Sequence, residues 1–209
     1  MLFAPPRDRQ AFFRVTVRAL ESFLVSTGIV ALAEIGDKTQ LLAFLLAARF
    51  QKPAPIVAGI LAATMLNHSL AGALGAWVTT AIGPQVLRWA VGLSFLAIAA
   101  WTLVPDKIDP DEARVATNLG VFGATLTTFF LAEMGDKTQI ATVALAAHYP
   151  SPVLVVIGTT LGMLIADVPA VFLGGNLAAK LPMRAIRLLA AALFALLGAA
   201  VLLGIDTAS

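Results

Sequence analysis

The stretch AEIGDKTQ at residues 33–40 recurs almost unchanged as AEMGDKTQ at residues 132–139, so the chain carries one acidic motif twice. Sliding the sequence by 99 residues superposes the two copies and keeps other residues matched without a gap, for example Arg88 with Arg187. Agreement over most of the chain predicts an internal duplication, in which the two halves share one structure.

The rest of the chain is apolar enough for a lipid bilayer to be its solvent. Apolar residues make up 59% of the 209 positions and charged residues only 12%, with a mean hydropathy of +0.91. A soluble domain is nearer half apolar and a quarter charged. The segments predicted to cross about 30 Å of hydrocarbon as helices are 22–48, 54–80, 85–104, 118–147, 152–179 and 184–204.

These segments predict an all-α integral membrane protein of six transmembrane helices, built as two inverted repeats of three helices. An odd number of spans per repeat turns the second copy over, so both motifs approach the midplane from opposite sides. The predicted parts are an N-terminal interfacial arm (1–21), repeat 1 (22–104), an acidic connector (105–117), repeat 2 (118–204) and a tail (205–209). The loop Lys and Arg residues favour an N-terminus outside the cell.

Several classes of function are disfavoured by what the sequence lacks. The net charge is only +2 and the basic residues lie mostly at segment ends, which indicates membrane boundaries rather than nucleic acid binding. The chain has no cysteine, so thiolate metal sites, disulfides and thiol nucleophiles are excluded. No nucleotide-binding Walker motif is present, so transport against a gradient has to draw on the gradient of another ion.

The acids of the two motifs are the candidate metal ligands, namely Glu34, Asp37, Glu133 and Asp136. Neither flank of the first motif is long enough to span alone, so the motif lies within the membrane, where each charge costs roughly 2.5–3.5 kcal/mol. Each motif has two acids and one lysine, and a buried surplus of negative charge requires a cation or protons. The spacing of three residues predicts that both acids of a motif share one helical face.

Other polar residues in the spans are predicted to support this site. Neutral ligands are expected from Thr39, Gln40, Thr138, Gln139 and Asn67, and ion-pairing or proton-linked roles from Lys38, Lys137, His68 and Asp167. Lys38 follows Glu34 by four residues, the spacing of a helical ion pair, and His68 has about even prospects of a functional or a core role. Gly36 and Gly135 allow close helix approach or local unwinding.

Both motifs match the signature E-x-G-D-(K/R)-(T/S), and the chain resembles a family of six-span cation/proton exchangers. This family includes MneA-like bacterial manganese exporters and Mn2+/Ca2+ transporters of the Golgi and thylakoid. The resemblance covers about residues 20–205. It implies that the four motif acids carry the cation and that protons move the other way, and the short N-terminal region favours a bacterial plasma membrane.

The predicted function is therefore a secondary transporter that exports Mn2+ or Ca2+ in exchange for protons by alternating access. An oxygen-rich site without thiolate suits hard cations such as Mn2+, Ca2+ or Mg2+. No resident cofactor and no enzymatic activity are expected. A passive divalent-cation channel is the nearest alternative, and an intramembrane enzyme is a more distant one because no Ser/His or HExxH arrangement accompanies the acids.

Overall fold

The computed structural model of the chain describes residues 6–105, 119–173 and 182–205, with side chains from residue 11 onward. The described residues form eight α-helices and no strand: α1 (Pro6–Glu34), α2 (Lys38–Phe50), α3 (Pro53–Ala81), α4 (Pro84–Thr102), α5 (Gly120–Glu133), α6 (Lys137–His148), α7 (Pro152–Leu173) and α8 (Met183–Leu203). Within α1, α3, α4, α7 and α8 lie stretches long and apolar enough to cross a membrane, and α5 is a shorter apolar helix. The chain is thus an all-helical, multi-pass membrane protein.

Some predicted segments differ from these bounds or lie outside them. Helix α1 runs without a break from Pro6, so residues 6–21 of the predicted arm and the start of the first span form one helix. Proline at the first position begins α3, α4 and α7, where its missing N–H leaves no helical hydrogen bond unmade. Residues 106–117 of the predicted connector and 206–209 of the predicted tail lie outside the described residues.

Both motif-bearing spans are broken at the motif. Helix α1 ends at Glu34 and α2 begins at Lys38, and likewise α5 ends at Glu133 and α6 begins at Lys137. The glycine in each gap has a positive φ, +81° at Gly36 and +80° at Gly135, a conformation that costs glycine nothing. The glycines therefore unwind the helix, and Glu34 and Asp37 lie on either side of a turn instead of on one face of a continuous helix.

Close backbone contacts fix the direction of the first motif-bearing span. A side chain added at Gly158 would meet the carbonyl of Phe23, and one added at Gly162 would meet the carbonyl of Thr27. As the chain advances along α1 it therefore advances along α7, and the two helices are parallel. We call the side on which α1 and α7 begin face one and the opposite side face two.

The second motif-bearing span runs the other way. Near the start of α3, Gly59 lies against Thr125 of α5, and near its end Gly75 lies against Val143 of α6, so α3 is parallel to the span formed by α5 and α6. Helix α3 is antiparallel to α7, because its early residues share a cluster with the end of α7 while Gly72 meets Val156 near its start. The span of α5 and α6 thus runs from face two to face one.

The last helix of each half pairs with the other at a close crossing. Gly92 of α4 packs against Leu202, and Gly198 of α8 packs against Leu96 and against the carbonyl of Gly92. These contacts make α4 and α8 antiparallel. Because α4 follows the end of α3 on face one, α8 begins on face two at Met183.

Two apolar clusters enclose a buried polar layer. The cluster toward face one is formed mainly by α1, α4, α6 and α8, and the cluster toward face two mainly by α2, α3 and α5. Along α1 and α2, Ala33 belongs to the first cluster and Leu42 to the second, and the buried acids of motif 1 lie between them. The packing therefore buries the motif acids inside the bundle, between the two apolar clusters.

Candidate cation site

Three of the four predicted ligands come together. One carboxylate oxygen from each of Glu34, Asp37 and Asp136 lies within 4.8 Å of the others, and all three residues are buried. Ligand oxygens about 2.0–2.6 Å from one ion are themselves separated by at most about 5 Å, so this spacing fits a shared divalent cation. Glu133 is completely buried but does not belong to this group of three within the described residues.

The two lysines connect the motifs. Lys137 Nζ lies 2.7 Å from Asp37 Oδ2, and Lys38 Nζ lies 3.7 Å from Asp136 Oδ1. Each lysine thus pairs with the aspartate of the opposite motif. The expected pairing of Lys38 with Glu34 depends on a continuous helix, and the turn at Gly36 removes that helix. Two lysines against four motif acids still leave a surplus of negative charge when all are ionised.

The two motif glutamates have different hydrogen bonds. Thr39 Oγ1 donates to Glu34 Oε2 at 2.8 Å, and Thr138 Oγ1 donates to Glu34 Oε1. Both carboxylate oxygens of Glu133 are buried and accept no hydrogen bond within the described part of the chain. Buried polar atoms almost always have a partner, so the Glu133 carboxyl group stands out among the buried acids of the described residues.

The predicted glutamine ligands hold the turns. Gln40 Oε1 accepts a hydrogen bond from the Gly36 amide at 3.0 Å, and Gln139 Oε1 accepts one from the Gly135 amide at 2.8 Å. Gln40 Nε2 also donates to the Ala166 carbonyl of α7 at 2.9 Å. The structure therefore gives both amide oxygens a partner in their own turns.

The remaining predicted residues are all fully buried in the polar layer. Asn67 Nδ2 donates to the Phe130 carbonyl at 3.0 Å and so joins α3 to α5. Both ring nitrogens of His68 and both carboxylate oxygens of Asp167 have no hydrogen-bond partner among the described residues. His68 and Asp167 occupy equivalent positions in the two repeats, 99 residues apart.

Sequence reasoning missed one residue next to the site. Met183, the first residue of α8, has its terminal methyl group at the position that a side chain on Gly36 would take. An apolar residue at the start of an apolar helix gives no sequence signal of such a contact. Only the packing of α8 against the broken span reveals it.

Buried acids that converge between membrane-spanning helices are typical of a membrane transporter for cations. Comparison with known proteins agrees with that class. The chain belongs to the family described as the divalent cation/proton antiporter GDT1, whose profile matches residues 22–110 and again residues 121–208. The family resemblance predicted from the two motifs is confirmed, and so is its function, the exchange of a divalent cation for protons.

Several known proteins align with most of this chain. A Vibrio cholerae protein called "Putative manganese exporter" is 48% identical over 186 residues, which are 88% of this chain and 92% of that protein. "GDT1-like protein 3" of rice is 30% identical over 200 residues, 83% of this chain and 71% of that protein. "Protein PAM71-homolog, chloroplastic" of Arabidopsis thaliana is 26% identical over 220 residues, 90% of this chain and 60% of that protein. No solved structure matches the chain.

Proposed function

We propose that this protein exports Mn2+ and takes up protons, with the cation held between the two motifs. The observation that carries the proposal is the group formed by Glu34, Asp37 and Asp136, because it joins acids from both halves at coordination distance. The 48% identity to the Vibrio cholerae protein favours Mn2+ over Ca2+ as the cargo. Carboxylate oxygens suit both ions, so ligand type alone does not separate them.

In the proposed site each acid has a distinct role. Glu34, Asp37 and Asp136 are the metal ligands, while Glu133, which accepts no hydrogen bond from the described residues, completes the set of four by taking a proton or a cation. Thr39 and Thr138 orient the Glu34 carboxylate. When no cation is bound, Lys38 and Lys137 offset part of the negative charge of the closely spaced acids.

The architecture proposed for this activity is six spans in two inverted repeats, which work by alternating access. It is supported by the opposite directions of the two motif-bearing spans and by the match of the family profile to each half separately. Counting α1 with α2 and α5 with α6 as one broken span each gives three spans per half. Discontinuous helices at the repeat interface are common at the ion sites of such transporters.

The orientation is proposed from the positive-inside rule applied to the sequence. The connections on face two carry seven Lys or Arg residues and face one carries five, four of them in the N-terminal arm, so we take face two as the cytoplasmic side of a bacterial plasma membrane. Export then runs from face two to face one. Moving a divalent cation outward against an inside-negative potential of 100 mV costs about 4.6 kcal/mol, and inward proton movement offsets that cost.

The test is a flux measurement on purified protein in proteoliposomes. Mn2+ uptake and an internal pH dye are followed together, with a Glu34→Gln variant as the matched control for binding and leak. Mn2+ movement accompanied by opposite proton movement supports the exchanger. Mn2+ flux without proton movement under any imposed gradient would favour the passive channel, and transport of Ca2+ but not Mn2+ would change the assigned cargo.

A further inference from the structure

The two motif turns differ in what covers them. A Cβ built on Gly36 would overlap Met183 Cε and lie 3.2 Å from Met183 Sδ, so this side chain fills the space that the glycine leaves. Among the described residues, the same construction on Gly135 meets nothing within 4 Å, and the neighbouring Met134 is 54% exposed. The motif-1 turn is therefore covered, whereas the motif-2 turn lies at the surface of the molecule.

The cover lies on the face-two side of the proposed site. Met183 begins α8 on face two, and Gly36 lies between Glu34 and Asp37, two of the three converging acids. The Met183 side chain therefore reaches, from the helix that begins on face two, the turn that joins two of the three acids. No corresponding side chain lies over the Gly135 end among the described residues.

The two repeats also differ in sequence at the position that contacts the motif-1 turn. The residue that corresponds to Met183 in the first repeat is Pro84, 99 positions earlier and also the first residue of its helix. A proline ring is short and rigid, while methionine is unbranched and has three rotatable side-chain bonds. Only one of the two turns thus has a long, adaptable side chain available to cover it.

Helix α8 is loosely packed against α1. Between the two helices lies an open apolar groove of about 500 Å3, lined by residues that include Gly28 and Leu32 of α1 and Leu193 and Leu197 of α8. A side chain added at Gly28 would meet nothing within 4 Å among the described residues. Met183 does not line this groove, so the groove allows a small tilt of α8 that would move Met183, and it does not itself receive the thioether.

We infer that Met183 is a removable plug that closes the face-two access to the cation site when its side chain lies on Gly36. The inference rests on the proposed transport function, because it assigns a way in to the same site. In this role Met183 controls the access of ions to the site and does not coordinate the cation. It also assigns this structure to the state in which the site is shut toward face two.

The absence of native cysteine allows a clean test by thiol accessibility. Ile35→Cys and Met134→Cys place one thiol in each turn, at equivalent positions of the two repeats. Each is labelled in oriented membrane vesicles with a cationic, membrane-impermeant methanethiosulfonate added from one face at a time. Adding Met183→Ala to Ile35→Cys is expected to speed labelling from face two by about tenfold or more, because the open fraction rises. Met183→Leu, which keeps the volume, leaves labelling slow.

The matched control is Pro84→Ala with Met134→Cys, which is expected to leave the labelling rate from face one unchanged. If Ile35→Cys reacts equally fast with Met183, leucine or alanine at position 183, the plug is refuted. The Mn2+ flux assay separates this result from failure of the proposed function. If Met183→Ala speeds labelling in a protein that moves no Mn2+, the plug is supported and Mn2+ is refuted as the cargo. If the protein exchanges Mn2+ for protons but labelling does not respond to Met183→Ala, the proposed function is supported and the plug is refuted.

Discussion

The two acidic motifs differ by one residue in eight, Ile35 against Met134, yet the surroundings of their glutamates and glycines differ. In motif 1, Glu34 receives both threonine hydroxyls and Gly36 is covered by Met183. In motif 2, the Glu133 carboxylate accepts no hydrogen bond within the described residues and the turn is exposed. Equal sequences in unequal environments indicate that the environment, and not the motif, distinguishes the two ends of the site.

Both threonine hydroxyls donate to the glutamate of motif 1, which suggests how the two motifs exchange roles during transport. Thr39 and Thr138 occupy equivalent positions in the repeats, and both donate to the same glutamate. Repeat symmetry makes an arrangement with both hydroxyls on Glu133 the natural counterpart of the one observed. Two packings of nearly equal energy, related by the symmetry of the repeats, are what alternating access requires.

Neutralising either glutamate is the largest expected perturbation. Glu34→Gln and Glu133→Gln each remove one anionic group from a shared site, so each is expected to lower the proton-coupled Mn2+ flux by about 100-fold or more. The measurement is Mn2+ flux in proteoliposomes at equal protein content, with insertion checked by thermal unfolding in detergent. Normal flux in Glu133→Gln would restrict the site to the three converging acids, and normal flux in Glu34→Gln would remove the site altogether.

The two lysine–aspartate pairs are expected to differ in their effect on stability. Asp37→Asn leaves the buried Lys137 without the carboxylate 2.7 Å away, which is expected to cost about 3 kcal/mol, or roughly 6–12 °C in Tm. Asp136→Asn is expected to cost less, because its partner Lys38 lies 3.7 Å away and its side chain is 15% exposed. Thermal unfolding of both variants in one detergent measures the difference.

A double variant gives the control for this comparison. Replacing both members of the tighter pair, Asp37→Asn with Lys137→Met, removes the Lys137 charge together with the Asp37 carboxylate and is expected to recover most of the lost stability while transport stays abolished. Equal destabilisation by Asp37→Asn and Asp136→Asn would show that the two pairs are energetically equivalent. The two crossed pairs would then not distinguish motif 1 from motif 2.

Competition between protons and the cation is expected to be visible as a pH dependence of Mn2+ affinity. Carboxylates bind the metal when ionised and not when protonated, so affinity falls as pH falls, by about tenfold per pH unit for each proton released on binding. Tyr149, in the connection after α6, takes no part between pH 5 and 8, because burial, with a smaller contribution from Glu21, raises its pKa to about 12. Calorimetry across that interval in buffers of different ionisation enthalpy counts the protons released. A flat affinity with no proton release would contradict proton exchange at this site.

The sequence predicts a helical membrane protein with two acidic motifs, because hydrophobic length and a nearly exact repeat are strong signals. It also predicts that Glu34, Asp37, Glu133 and Asp136 form one group, and three of these four, without Glu133, lie close together in the structure. The prediction that both acids of a motif share a helical face was wrong, because the positive φ of Gly36 breaks the helix. The expectation that Gly36 and Gly135 allow local unwinding agrees with these breaks.

Residues that act through long-range packing could not be predicted. The contact of Met183 with Gly36 and the crossed pairing of Lys137 with Asp37 both join residues that are about 100 or more positions apart. Local spacing predicted that Lys38 pairs with Glu34 of its own motif. In the structure Lys38 pairs with Asp136 of the other motif. Helical spacing is informative only where the helix continues, and the chain departs from it at the functional site.

The smallest expected effect separates the two turn-holding glutamines. Gln40 bonds the Gly36 amide and also the Ala166 carbonyl, whereas Gln139 bonds the Gly135 amide in an exposed turn. Gln40→Ala is therefore expected to lower stability by about 2 kcal/mol and Gln139→Ala by about 1 kcal/mol or less, because a buried carbonyl loses its donor only in the first variant. The measurement is again thermal unfolding in detergent, with Gln40→Glu as a second variant. It keeps an oxygen for the glycine amide and removes the donor to Ala166, but it adds a buried carboxyl group near the motif acids, so its cost is an upper bound for the bond between α2 and α7. Equal losses for the two alanine variants would mean that Ala166 finds another donor, and the two turns would then be alike in energy even though one is covered and the other is exposed.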